Sequence, residues 1–331
     1  MTKTDTTESP IASFSTRKPS KWLSNQLEGM GMLPVLVAMC VAASIFVPNF
    51  ANWVNIKGLA LSVSTVGIIG CTMLFCLAAG DFDLSVGSVV AFAGVLSVMV
   101  INATGSVALG FAVGILAGAA VGLVNGLVIA YVGINALITT LATMQMVRGL
   151  TYIVSDGRSI IVNNESFSAL GNWTFQDMSL PVWIMLTCFV AFGLLLNRTT
   201  FGRNALAIGG NKEAAHLAGI AVARTKMIIF AMQGMAAALA GVVLAALMRS
   251  GQPMVAQGLE LQVISGCVLG GVSLSGGVGS ILGVIVGVLI MGVVQNVMNL
   301  MNIQPFYQLL VSGAILLAAV TFDRLKQLHR R

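Results

Sequence analysis

Residues 107–132 read VALGFAVGILAGAAVGLVNGLVIAYV, an unbroken run without one charged side chain. A helix needs about 20 apolar residues to cross the hydrocarbon layer of a bilayer, and this run is long enough. Within it Gly110, Gly114, Gly118, Gly122 and Gly126 recur at every fourth position. That spacing lines one helix face with bare backbone and lets a neighbouring helix approach closely. The pattern reads as tight helix packing, with a sliding interface as the alternative. A shorter version, Gly279, Gly283 and Gly287, recurs towards the C-terminus.

The same reading extends over all 331 residues. Hydrophobic residues make up 57% of the chain and charged residues only 8%, where a soluble domain carries roughly 25% charged residues. A surface so poor in charge excludes a soluble enzyme, a nucleic-acid-binding protein and a secreted disulfide scaffold as descriptions of the whole chain. Apolar runs broken by Gly, Pro, Asn and charge predict spans at 32–48, 58–80, 84–101, 107–132, 135–154, 180–196, 226–247, 260–274, 281–299 and 306–322. The predicted fold class is all-α, a polytopic integral membrane protein with about ten transmembrane helices filling residues 30–323. Two breaks, near Asp81 and Gly276, read either as turns or as re-entrant segments. Gly87-Ser88 and Gly279-Ser280 give these breaks a short mutual likeness.

The net charge of +6 is distributed by position. Both tails and the 197–226 loop carry 13 Lys or Arg, whereas the opposite side carries only Lys57, Arg158 and Arg249. This asymmetry predicts cytoplasmic N- and C-termini and an even number of spans. Residues 1–29 are polar and lack the apolar core of a signal peptide. They read as a cytoplasmic tail, either disordered or with an interfacial helix formed by Trp22, Leu23, Leu27 and Met30. Residues 324–331 form a basic cytoplasmic tail. The segment from Asp156 to Leu180 is expected outside.

Chemistry-bearing motifs are few. A G-x-x-x-x-G-K-[ST] loop is missing, so the chain is not expected to split ATP. The two histidines, His216 and His329, build neither a metal site nor a catalytic triad, and the five cysteines lie in apolar runs. No catalytic residue, metal site or cofactor is expected. Asp81 and Asp83 fall between two spans. They read either as solvated carboxylates in a turn, with a serine capping the next helix, or as a polar gate or ion site. The span 135–154 is the most polar. Its Asn135, Thr139 and Thr143 share one face at i, i+4 spacing, suited to a pathway for a neutral polyhydroxylated solute or to interhelical hydrogen bonding. Arg148 lies about 9 Å from the external end of that span at helical rise, within reach of the outer surface by snorkelling or of the pathway itself.

The internal loop reads Gly209-Gly210-Asn211-Lys212-Glu213-Ala214-Ala215-His216-Leu217-Ala218-Gly219-Ile220. It predicts a short helix capped by Asn211 and ended by Gly219, suited to docking in a groove on a soluble partner. Glu213-Ala214-Ala215 with Gly219 resembles the EAA-type coupling loop of permease subunits in bacterial ABC importers. Asp83-Leu84-Ser85-Val86-Gly87-Ser88 is similar to the D-L-S-V-G-S signature of the ribose, xylose and arabinose permease family. So are Ile134–Met144, Arg148-Gly149-Leu150, Thr199–Asn204 and Cys267–Leu274. Val47-Pro48-Asn49-Phe50 and Gly80-Asp81-Phe82-Asp83-Leu84-Ser85 resemble the arabinose members most. Asp81 departs from the commoner Gly-Ile-Asp-Leu-Ser pattern as an extra carboxylate.

The resemblance, which covers the chain beyond about residue 28, implies a type II ABC importer-like permease in the bacterial inner membrane, carrying L-arabinose or a related pentose. It implies a homodimer that forms the pathway, a cytoplasmic ATP-binding subunit docked at Glu213, Ala214, Ala215 and Gly219, and a periplasmic sugar-binding protein. ATP and Mg are expected on the partner ATPase. Asp83, Asn135, Thr139, Thr143 and Arg148 are the pathway candidates. The competing expectation is an ion-coupled secondary sugar transporter that uses Asp81 or Asp83.

Overall fold

The computed structural model describes residues 31–329, with side chains through Thr321. The predicted interfacial helix and the basic side chains of the C-terminal tail fall outside the described residues. The chain folds as helices α1 (Leu33–Phe46), α2 (Trp53–Ala78), α3 (Val86–Thr104), α4 (Val107–Leu127), α5 (Ala136–Ser155), α6 (Glu165–Asn172) and α7 (Leu180–Arg198). These are followed by α8 (Thr200–Gly210), α9 (Lys212–Leu217), α10 (Val222–Met248), α11 (Leu259–Leu269), α12 (Ile281–Leu300) and α13 (Pro305–His329). A π-turn, Val128–Val132, extends α4. Two short antiparallel ribbons pair β1 (Ile160–Ile161) with β4 (Ser250–Gly251), and β2 (Thr174–Phe175) with β3 (Met178–Ser179). The first ribbon ties the α5–α6 loop to the end of α10.

Seven of the described helices are long and apolar enough to cross a membrane: α2, α3, α4 with its π-turn, α5, α7, α10 and α12. The predicted spans 32–48, 260–274 and 306–322 correspond to shorter apolar helices, Leu33–Phe46, Leu259–Leu269 and Pro305–Thr321. Helix α11 stops at Leu269 because Gly270-Gly271 follows, with Gly271 in the left-handed region at φ +84°, where L side chains are strained. Helix α10 begins four residues before the predicted start. Its first turns include Lys226, a charge that breaks an apolar pattern but is neutralised in the fold. Helices α6 and α8 were not expected. Each is capped locally, Asn164 Oδ1 accepting from the Phe167 amide at 3.1 Å and Thr199 Oγ1 from the Gly202 amide at 3.2 Å.

The glycine face of α4 lies in the seam between α3 and α10. Gly110 meets Ile101 and the Ser97 carbonyl, and Gly114 meets Val242 and the Ala93 carbonyl. Lower in the seam, Gly118 meets Ala238 and the Gly234 carbonyl, Gly122 meets the Phe230 backbone, and Gly126 meets the Met227 backbone. At Gly122 a Cβ would overlap the Phe230 carbonyl, so backbone approaches backbone, and dispersion contacts replace the side chains that would hold the helices apart. The opposite face of α4 exposes Leu109, Leu116, Leu123 and Leu127. The second glycine series works in the same way, Gly287 and Gly283 lying against Gly266 and Gly270 of the α11 end. At the centre, buried Phe75 meets Phe192 edge-on and Phe201 at a tilt, with ring centroids 6.2 and 5.9 Å away.

Candidate functional site

Three arrangements of polar groups stand out, and all touch the breaks between long helices. The first is the exposed helix α9. Asn211 Oδ1 accepts from the Ala214 amide at 2.9 Å, and Gly219, at φ +81°, lets the chain leave the helix in a left-handed turn. Glu213, Ala214 and His216 are exposed and Leu217 is 86% exposed, whereas Ala215 is buried and anchors the helix to the body.

The second is a backbone seam beneath α9. Gly209 and Gly210 end α8 immediately before it. A Cβ on Gly209 would overlap the Ala78 carbonyl, and Gly276 and Gly277 stand against Gly209 and Gly210 in turn. The Gly277 amide donates to the Ala78 carbonyl at 2.9 Å. The two non-helical breaks, 79–85 and 270–280, therefore meet at the root of α9. Beside this seam Lys226 Nζ lies 2.7 Å from Asp81 Oδ2, with both side chains about nine-tenths buried. Burial pushes the Asp81 carboxyl above its usual range, while the Lys226 charge and hydrogen bond pull it down.

The third is a buried hydrogen-bond chain. Thr143 Oγ1 donates to Asn125 Oδ1 at 2.6 Å, Asn125 Nδ2 donates to Ser85 Oγ at 3.1 Å, and Ser85 Oγ donates to Asp83 Oδ1 at 2.6 Å. The Ser85 amide adds a bond to the same Asp83 oxygen at 2.8 Å. Every link points its proton towards the carboxylate, so each bond polarises the next. The chain joins α5, α4 and the 79–85 break in front of α3.

The solvated turn considered for Asp81 and Asp83 does not form. Asp83 is 1% and Asp81 8% exposed, because α8, α10 and the 270–280 turn cover the break. Ser85 does not cap α3; its hydroxyl is directed to Asp83 instead. The stripe Asn135, Thr139, Thr143 is not a continuous open lining. Asn135 is exposed and caps α5 through the Leu137 amide at 2.8 Å, Thr139 donates to the Asn135 carbonyl at 3.0 Å, and Thr143 turns to Asn125. Arg148 does not reach outward by snorkelling. Its Nη1 donates to the Pro253 and Val255 carbonyls at 2.8 and 2.9 Å, since carbonyls of the non-helical 249–258 segment are left without helical partners. Asp81 pairs with Lys226, not with Arg148.

Sequence reasoning gave no site role to Lys226, Asn125, Glu260 or the pair Gly209-Gly210, and read the serine after Asp83 only as a helix cap. Lys226 and Glu260 each stand at the head of an apolar run, and Asn125 is a lone amide inside one. A polar residue in such a place is costly unless partnered, which was the available signal.

Residues 55–320 match a family described as a branched-chain amino acid transport system permease component. The chain belongs to this permease family. The permease is 59% identical over 301 residues to the L-arabinose transport system permease protein AraH of Escherichia coli K12, covering 91% of this chain and 92% of the relative. It is 49% identical to the L-arabinose ABC transporter permease protein AraH of Azospirillum brasilense, over 98% and 96% of the two chains. It is 38% identical to the ribose import permease protein RbsC of Bacillus subtilis, over 91% and 94%. No solved structure matches it. Family and apolar helices together make the permease a multi-pass membrane translocation subunit.

Proposed function

We propose that this chain is the membrane-spanning subunit of an ATP-driven, binding-protein-dependent importer that moves L-arabinose, or a related pentose, across the bacterial inner membrane. One observation carries the reading. Relatives named as L-arabinose permeases are 59% and 49% identical over more than nine-tenths of both chains, against 38% for a ribose permease.

In this reading the seven long helices and the shorter α1, α11 and α13 make ten crossings. Both termini and the α8–α9 loop then face the cytoplasm, in keeping with the 13 basic residues of those segments. Two copies of the chain enclose the pathway. Helix α9, through exposed Glu213 and Ala214 with Ala215 and Gly219 fixing its seat, docks in a cytoplasmic ATP-binding subunit that holds ATP and Mg. The α6 end receives a periplasmic sugar-binding protein. Closure of the ATPase draws the two α9 helices together. Bare backbone at Gly209-Gly210 leaves no flexible side chain to absorb that motion, so it passes to the 79–85 and 270–280 breaks. Asp83 and Thr143 brace α5 as a pathway wall through Ser85 and Asn125, Thr139 and half-buried Arg148 stand along the same helix, and Asn135 is exposed at its start. Ion coupling through Asp81 or Asp83 gains no support from the geometry, because Lys226 and Ser85 already engage those carboxylates.

The experiment is uptake of labelled L-arabinose, ribose and xylose in cells lacking the gene, with the gene restored. Uptake is expected to survive a protonophore, to fail on ATP depletion and to favour L-arabinose. Glu213→Arg is expected to abolish uptake while the protein still reaches the membrane. Wild-type uptake in that variant refutes the docking role of α9.

A further inference from the structure

The middle of the helical layer carries two charges, Arg148 on α5 and Glu260 on α11, of which Glu260 has no role in the reading above. Gly94 on α3 abuts Gly241 and Ala245 on α10, and Gly241 abuts Val90, so the two helices run parallel. Gly87, about a turn before Val90, is thus level with the vicinity of Ala237, roughly 16 Å from Lys226 and from Met248 at 1.5 Å per residue. At that level a Cβ on Gly87 would stand 2.5 Å from the Ala256 carbonyl and 2.5 Å from Glu260 Oε2. The 249–258 segment descends to this depth through three left-handed residues, Arg249, Ala256 and Gly258. Arg148 holds the descent through the Pro253 and Val255 carbonyls, using Nη1 alone. Its Nε and Nη2 donors have no partner among the described residues. Arg148 and Glu260 make no ion pair within 4 Å among the described residues, yet they border the same stretch, Arg148 at the Val255 carbonyl and Glu260 at Gly87 beside the Ala256 carbonyl.

Both charged residues are half-buried, and Gln145 and Gln257, each three residues away, are exposed. Four polar groups thus reach the outer surface of the chain halfway down its longest helix. Lipid at that depth does not tolerate such a surface, and the open face of α4 shows the leucine lining that lipid takes. In a dimer whose copies enclose the pathway, a surface this polar belongs on the side that water reaches. A guanidinium, a carboxylate and two amides present fixed donors and acceptors in pairs, the arrangement that vicinal hydroxyls satisfy bidentately.

We propose that Arg148 and Glu260, flanked by Gln145 and Gln257, form a water-facing contact site for a neutral polyhydroxylated solute at the mid-depth of the pathway. The solute class rests on the sugar-permease reading, whereas the water-facing position does not. The test uses the complete importer, permease with ATPase and binding protein, in proteoliposomes. Gln257→Cys, measured against the background of the native cysteines, is expected to react with a charged, membrane-impermeant thiosulfonate. Reaction with a lipid-soluble maleimide alone overturns the proposal, whichever sugar is carried. Glu260→Gln and Arg148→Gln are expected to lower the sugar delivered per ATP hydrolysed about tenfold, the scale of a lost charge-assisted hydrogen bond, with ATP hydrolysis stimulated by binding protein little changed. Unchanged sugar per ATP in both variants overturns the contact. Arg148→Lys, which keeps the charge but loses the planar fork, is expected to fall between parent and Arg148→Gln. Where Arg148→Gln fails to assemble, parent-level sugar per ATP in Arg148→Lys overturns the contact in its place. A parent importer that moves no pentose overturns the sugar reading instead, and the thiosulfonate result still decides whether the patch faces water.

Discussion

Replacing Lys226 by Met removes the cation from a pair held at 2.7 Å with both side chains about 11% exposed. At an effective dielectric constant near 20, two unit charges at that distance attract by about 6 kcal/mol, and desolvation of both groups cancels much of this. The net value of the pair is therefore small, but its rupture is not. One partner left buried and uncompensated costs about 3–5 kcal/mol, and the Met variant keeps the Asp81 carboxylate under α8 and the 270–280 turn. At about 2 °C per kcal/mol for a chain of this size, the apparent Tm should fall by about 6–10 °C. The assay is the loss of monodisperse detergent-solubilised protein on heating, followed by gel filtration. Asp81→Asn alone should fall less, because the amide oxygen still accepts from Lys226 and the long lysine stem can carry its charge towards the surface. The double variant Asp81→Leu with Lys226→Met should recover most of the loss, since neither charge then needs a partner. A fall below about 2 °C for Lys226→Met, or a double variant as unstable as the sum of its singles, contradicts the account of a mutually dependent buried pair.

Two further expectations bear on packing and on the buried hydrogen bonds. Gly122→Ala sets a methyl group against the Phe230 carbonyl and should cost at least about 1–3 kcal/mol. Gly149→Ala, with nothing within 4 Å of the new methyl, should be neutral or stabilising by up to about 1 kcal/mol; equal thermal shifts for the two contradict the packing account. Asn125→Leu removes the bonds to Ser85 and Thr143 and should cost about 1–2 kcal/mol. Thr143→Ala should then cost less in the Asn125→Leu background than in the parent, and additivity in that double-mutant cycle argues against a coupled chain.

The helical breaks mark where the reading of the sequence was good and where it failed. The end of the 58–80 span at the Gly80 turn (φ +80°) was legible, because only a residue without Cβ takes that conformation cheaply. So was α9, where an Asn cap, a Glu in the first turn and a closing Gly are local signals. The state of the two aspartates was not legible. Nothing within six residues of Asp81 reveals Lys226, which lies 145 positions away in sequence, and solvated and buried carboxylates have the same local pattern. The anchoring of Arg148 was not legible for a similar reason: its partners are two carbonyls, and backbone carbonyls have no sequence signature.

The order of residues alone establishes that the chain enters a membrane as helices, that α4 offers a bare face for close packing, and that a capped helix stands in the long basic loop. Those properties depend on residues three to twenty positions apart, which is the range over which hydropathy, helical periodicity and capping act. What the polar residues do was settled by the folded arrangement. It turned Thr143 to Asn125 and Asn125 to Ser85, joined Asp81 to Lys226, brought the two non-helical breaks together at Gly209-Gly210, and tied Arg148 to the Pro253 and Val255 carbonyls. In an apolar surrounding a polar group must find a partner wherever the fold provides one, so its role follows from neighbours that the linear sequence does not specify.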